Sequence, residues 1–225
     1  MMLAGVLFDM DGTLVDSEKV WDVGLRELAV RYGGSLSDEA RLRMVGTSAL
    51  ETMVILHDDL RQPLRDPDEG ADWLDARVAA LFADGLEWLP GARDLLAQVR
   101  AARLPTALVT NTRRTLVEVA LATLGAHNFD AVVCGDDVPQ TKPDPTPYLT
   151  AAASLGVDPT RCVAVEDSPA GVASALGAGC AVLAVPHEVE IVGADVRVVH
   201  SLVEVDLELL HTLVRDHSGR GGRHR

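Results

Sequence analysis

The chain has 225 residues, enough to bury a sizeable core in one large domain or in a domain carrying an insert. Its 48% hydrophobic content with only 4% aromatic suits helices packed on a mostly parallel sheet, and a net charge of −14 argues against a general nucleic-acid binder. No apolar stretch approaches the roughly 18 residues of a membrane span, and no basic leader precedes the first apolar run, so no membrane association is expected. Cys134, Cys162 and Cys180 are odd in number and lie in apolar runs. They read as reduced core thiols, which places the protein in the cytoplasm.

In chain order, residues 3–8 read as a buried strand that stops at Asp9, with Asp11 and Gly12 just beyond. Ser17 reads as the N-cap of a helix carrying Trp21, Leu25, Leu28 and Tyr32 on one face, closed by Gly33 and Gly34. Helices follow over 37–45 and 49–60, then, after a turn from Pro63 to Pro67, over 69–86. No strand pattern interrupts them, so the four helices form an insert directly after the first strand. From Pro90 onward helices and strands alternate: helix 92–102, strand 105–110, helix 113–124, strand 131–134, helix 145–155, strand 162–165, helix 169–178, strands 181–185 and 196–199, and a helix over 203–214. The expected fold is α/β, a doubly wound parallel sheet with a Rossmann-like core over 1–16 and 88–216 and the helical insert over 17–87. Residues 217–225 have no apolar side chain to pack and read as a disordered tail.

Four strand ends carry polar groups, and ligands of open α/β sheets bind at such ends. Asp9 and Asp11 can turn two carboxylates into one crevice, although Asp-x-Asp-Gly also occurs in plain turns and calcium loops. Thr110 and Asn111 precede a helix whose free N–H groups could hold a phosphate, or they are a plain cap. Lys142 and Lys19 are the only lysines of the chain. Lys142 sits in a loop stiffened by Pro143, where an ordinary exposed lysine is the alternative. Glu166 and Asp167 suit a hard cation with oxygen ligands, while Ser168 fits a helix cap. In so acidic a chain, bound phosphate needs a metal ion or a dedicated cation. His57, His127, His187 and His200 have no partners at ligand spacing.

Taken together, Asp9-Met10-Asp11-Gly12-Thr13, Thr110-Asn111, Lys142-Pro143 and Glu166-Asp167-Ser168-Pro169-Ala170-Gly171 resemble, in order, the four motifs of the haloacid dehalogenase superfamily. The insert is similar to the cap domain of the branch holding phosphoglycolate phosphatases, sugar phosphatases and β-phosphoglucomutases. The resemblance implies a Mg²⁺-dependent phosphatase in which Asp9 attacks phosphorus to form an aspartyl-phosphate and Asp11 serves as acid and base. It assigns Thr110, Asn111 and Lys142 to the phosphoryl group, and Asp9, Asp11 (through its carbonyl), Glu166 and Asp167 to the metal. Glu18, Trp21, Thr47 and Ser48 are candidates for reading the rest of a small phosphorylated metabolite, a sugar or polyol phosphate, although Trp21 also fits the core stripe and Ser48 a cap. Dehalogenating members lack the second acid of the first motif, and a phosphonatase-type cap lysine has no counterpart beyond Lys19. A sugar-phosphate mutase is the alternative activity, but its histidine on the first cap helix is replaced by Trp21 and its arginine after Gly-x-Ser by Ala49. A non-catalytic phosphate-ligand binding protein is a further alternative, disfavoured by the intact acids. Oligomeric state is not readable.

Overall fold

The computed structural model describes residues 2–63, 65–191, 193 and 196–221. Six strands form one parallel sheet: β1 (Gly5–Phe8), β2 (Thr106–Val109), β3 (Ala131–Val133), β4 (Cys162–Glu166), β5 (Ala181–Ala184) and β6 (Val196–Val198). Their order is β3-β2-β1-β4-β5-β6, so the first strand lies inside the sheet, with Val6 beside Thr106 on one edge and Gly5 beside Cys162 on the other. The chain builds outward from β1 to β3 and then crosses back to β4. That reversal opens a crevice at the C-terminal ends of β1 and β4.

Side chains alternate across the sheet as strand geometry requires. Val6, Phe8, Val163 and Val165 enter one core layer, under α5 (Ala92–Ala101), α6 (Arg114–Leu124) and α9 (Leu207–Gly221). Leu7, Cys162 and Ala164 enter the other, under α7 (Thr146–Leu155) and α8 (Pro169–Gly177). Both faces are covered, which explains why the central strands are apolar throughout. Cys134, Cys162 and Cys180 are free and buried, and burial pushes the thiols of Cys134 and Cys162 up to about 12.

Four helices follow β1 and form the cap: α1 (Glu18–Arg31), α2 (Asp38–Arg43), α3 (Ala49–Asp59) and α4 (Pro67–Ala83). Ser37 and Ser48 cap α2 and α3 by accepting from Ala40 N and Glu51 N. α4 starts two residues earlier than expected, because Asp66 is its N-cap and Pro67 its first residue rather than the end of a turn. Ser17 stands at the N-cap position of α1 as expected, but its side chain makes no capping bond, since its backbone is helical and its hydroxyl bonds elsewhere. Leu25, Leu28 and Tyr32 are buried in the cap core.

Two corrections fall at the C-terminus. The last helix begins at Leu207 rather than 203, since residues 202–204 form a 3₁₀ turn and Asp206 caps Leu209 N at 2.8 Å. It then continues to Gly221, through residues read as a disordered tail. Extending a formed helix costs little, and Ser218 Oγ bonding Val214 O and His217 Nε2 lying 3.0 Å from Gly179 O tie down its last turns. Residues 222–225 of that tail lie outside the described residues. Among the described residues no helix is long and apolar enough to cross a membrane.

Candidate active site

The acids reach the crevice because the strands that carry them stop there. Asp9 follows β1, Glu166 ends β4 and Asp167 follows it; all three are buried, with one carboxylate oxygen of each lying within 4.8 Å of the others. Lys142 arrives on the loop between β3 and α7, and its ammonium donates to Asp9 Oδ1 at 2.6 Å and to Glu166 Oε1 at 2.5 Å. Tyr148, on α7, donates to the same Glu166 oxygen, and the Ser168 hydroxyl bonds the other at 3.3 Å. Glu166 is therefore fully engaged.

Burial raises the Asp9 carboxyl to about 8, against the pull of Lys142 and with further repulsion from Glu166 and Asp11. Asp167 is held well above the usual carboxylate range by burial and by repulsion from Asp9, Glu166 and Glu18. Burial alone would lower Lys142, but Asp9 and Glu166 outweigh it and hold its ammonium above the ordinary range. Three buried acids thus face one buried cation. Thr13 Oγ1 reaches Asp167 Oδ1 at 3.4 Å, but Asp167 Oδ2 is buried with no hydrogen-bond partner among the described residues. Excess negative charge and an orphaned carboxylate oxygen are what a divalent cation with oxygen ligands would satisfy. Asp9, Glu166 and Asp167 form the group that could hold one.

Two glycines make room for these acids. A side chain at Gly12, whose φ is +72°, would put its first carbon 2.1 Å from Asp167 Oδ2. At Gly171 the corresponding carbon would fall 2.0 Å from the Glu166 carboxylate, which Lys142 and Tyr148 prevent from moving aside. Gly171→Ala is expected to destabilise the fold by about 1–3 kcal/mol through this overpacking, seen as a lower urea midpoint.

Asp11 does not join the three acids through its side chain. Its Oδ1 accepts from Ser17 Oγ at 2.6 Å and from Trp21 Nε1 at 3.1 Å, and its Oδ2 from Thr112 Oγ1 at 2.7 Å and Thr110 Oγ1 at 3.2 Å. Four donors, Ser17 and Trp21 where the chain enters the cap and Thr110 and Thr112 after β2, hold its carboxylate, and its expected place in the metal set is through the backbone carbonyl. Asn111 does not open a helix directly, since α6 starts at Arg114. Its amide instead bonds Gly46 O of the cap loop at 2.9 Å and both Lys142 O and Lys142 N, tying the cap to the lysine loop.

A pocket between core and cap joins these groups. Glu18, Trp21 and Thr47 line it, while Ser48 lies in the outer cleft beside it and caps α3. Trp21 meets both expectations: it is half-buried against the cluster of Leu25, Leu28 and Tyr32 with its ring edge-on to Phe82, and its indole N–H faces the pocket at Asp11. Glu18 is buried against Arg41, its Oε2 2.5 Å from the guanidinium, and burial raises its carboxyl to about 7 against the pull of that arginine. Arg41, Ser17 and Thr112 are site residues that sequence reasoning missed. Ser17 looked like a cap, and nothing in the local pattern marks Arg41 as buried.

A six-stranded parallel sheet with a helical cap after its first strand and an acid and lysine cluster at the strand ends defines a capped α/β enzyme. The chain matches the haloacid dehalogenase-like hydrolase family over residues 3–179 and belongs to it; it is a hydrolase. It is 34% identical to validoxylamine A 7'-phosphate phosphatase of Streptomyces hygroscopicus subsp. limoneus, over 88% of this chain and 94% of that protein. It is 35% identical to fructose-1-phosphate phosphatase YqaB of Escherichia coli, over 78% of this chain and 93% of that one. Among solved structures, CbbY from Rhodobacter sphaeroides in complex with phosphate superposes with a TM-score of 0.81 at 30% identity, covering 93% of this chain and 99% of that chain.

Proposed function

We propose that this enzyme is a Mg²⁺-dependent phosphatase that hydrolyses a small phosphomonoester, a sugar or polyol phosphate, through an aspartyl-phosphate on Asp9. The observation that carries the reading is the meeting of Asp9, Glu166 and Asp167 with the single ammonium of Lys142 at the crevice of the sheet. The phosphatase relatives support the reaction, and the cap pocket supports a small substrate.

In the first step Asp9 attacks phosphorus, the bond to the leaving oxygen breaks, and Asp11 supplies that oxygen with a proton. In the second, Asp11 takes a proton from water as the water attacks phosphorus, and Asp9 is released. Lys142 offsets the repulsion between carboxylate and phosphate, with the Thr110 hydroxyl and the Asn111 backbone N–H holding the phosphoryl oxygens. Asp9, Glu166 and Asp167, with the Asp11 carbonyl, would hold Mg²⁺, which supplies electrophilic charge to the phosphoryl oxygens. To reach the leaving oxygen, Asp11 has to exchange at least one of its four donors for substrate.

The pocket encloses a cavity of about 70 Å³. The free buried thiols support a reducing compartment, the cytoplasm.

Phosphate release from a panel of sugar, polyol and glycolate phosphates, measured with Mg²⁺ and with chelator, tests the proposal. Metal-dependent turnover is expected, and a panel without turnover would reject it. Metal binding can be read separately from activity. Mg²⁺ at about 100 times its dissociation constant should stabilise the fold by about 2.7 kcal/mol, a shift in thermal midpoint that Asp167→Asn should largely remove.

A further inference from the structure

The basic side chains that line the pocket, among the described residues, are Arg41, Arg113 and Lys142, and each is matched by at least two carboxylates. Lys142 faces Asp9 and Glu166, where a cation is needed for the reacting phosphoryl group. The other two lie on the cap side. Arg41 is buried and meets Glu18 at 2.5 Å, Asp22 at 3.4 Å and Glu188 at 3.5 Å. Arg113 meets Asp75 at 3.0 Å and Asp72 at 3.2 Å. Of these carboxylates Glu18 and Asp75 line the pocket, while Asp22, Glu188 and the largely exposed Asp72 meet the guanidiniums from outside it, so neither arginine is left without an acidic partner.

A second phosphate or a carboxylate on the substrate would find no unpaired cation on this side and would have to approach Glu18 and Asp75, whose like charge disfavours it. Hydroxyl groups meet no such obstacle. Arg41 Nε is buried and lacks a hydrogen-bond partner among the described residues, with Asp22 near it but out of bonding geometry. The hydroxyls of Thr47 and Thr52 bond each other at 2.8 Å on the same wall and could exchange that bond for substrate. A neutral polyhydroxylated group both accepts and donates, which this mixture of donors and carboxylates satisfies.

We propose that the cap side of the pocket selects a neutral polyhydroxylated leaving group and rejects phosphate esters carrying a second anionic group, bisphosphates and phosphocarboxylates alike. The inference rests on the phosphatase reading. It also sets the enzyme apart from a mutase, which has to hold a bisphosphate.

The test compares kcat/KM within pairs that separate charge from size: sorbitol 6-phosphate against 6-phosphogluconate, and fructose 1-phosphate against fructose 1,6-bisphosphate, all with Mg²⁺. A preference of about 100-fold for the neutral member of each pair is expected. Glu18→Gln removes one of the carboxylates facing Arg41 and should narrow both ratios about tenfold by raising the rate on the anionic member. Anionic members hydrolysed within tenfold of their neutral partners, or a Glu18→Gln variant that slows both members equally, would overturn the proposal. Absence of release from every ester would instead overturn the phosphatase reading beneath it.

Discussion

Asp9→Asn should lower kcat by about 10⁴-fold or more while the folded protein still binds phosphate in the presence of Mg²⁺. The amide keeps the shape of the carboxylate and an oxygen that can accept from Lys142, which now stands 2.6 Å from Asp9 Oδ1. What is lost is the anion that attacks phosphorus. The wild-type enzyme quenched during turnover should carry one phosphoryl group on the Asp9 peptide by mass spectrometry, and the variant none. A variant that turns over at a rate near that of the wild type would mean that water attacks the ester directly and that Asp9 serves only to hold the site together.

Lys142→Met should cost both stability and rate, and the two losses should respond differently to metal. Removing one partner of a buried ion pair typically costs about 3–5 kcal/mol because the other partner is left charged or must take up a proton. Here Asp9, Glu166 and Asp167 would remain buried together without their ammonium. Urea unfolding in chelator should show the full loss, and Mg²⁺ should recover part of it by returning positive charge to the cluster. The rate should stay about 10²–10³-fold down even with Mg²⁺, since the donor to the phosphoryl group is gone. Stability in chelator equal to that of the wild type would show that the three acids accommodate one another without the lysine.

The strand ends were legible because an apolar run that halts at an acid has no packing reason to do so. Asp9, Glu166 and Asp167 were found that way, and Lys142 stood out in a chain with one other lysine. The cap side was harder to read. Trp21, Leu25 and Leu28 share one helical face, but periodicity does not say that the far end of that face looks into a pocket, where the Trp21 N–H bonds Asp11. Arg41 sits in Asp38-Glu39-Ala40-Arg41-Leu42-Arg43, which locally reads as a solvated helix; its burial depends on Glu18 and Glu188, residues remote in the chain. The preference of Ser17 for a cap is local, whereas the competing bond to Asp11 depends on how the chain leaves β1. Asn111 was expected to face phosphate, and its role as a tie between Gly46 and Lys142 follows from the meeting of two loops that no sequence spacing relates.

The interior position of β1 also bears on how the chain acquires its fold. The first strand to be made pairs with Thr106 to Leu108 on one side and with Cys162 to Val165 on the other, so it waits for almost half of the polypeptide before one edge is filled and for most of it before both are. The cap helices between have partners close in sequence and can form while it waits. Long-range closure of this kind sets a slow step late in folding, since the ends of a large loop must be brought together before parallel pairing compensates for the lost entropy. The nucleophile rides on β1 and its acidic companions on β4, and the two strands meet in that closing event. Competence to bind a divalent ion should therefore appear together with completion of the sheet, after the cap has become helical.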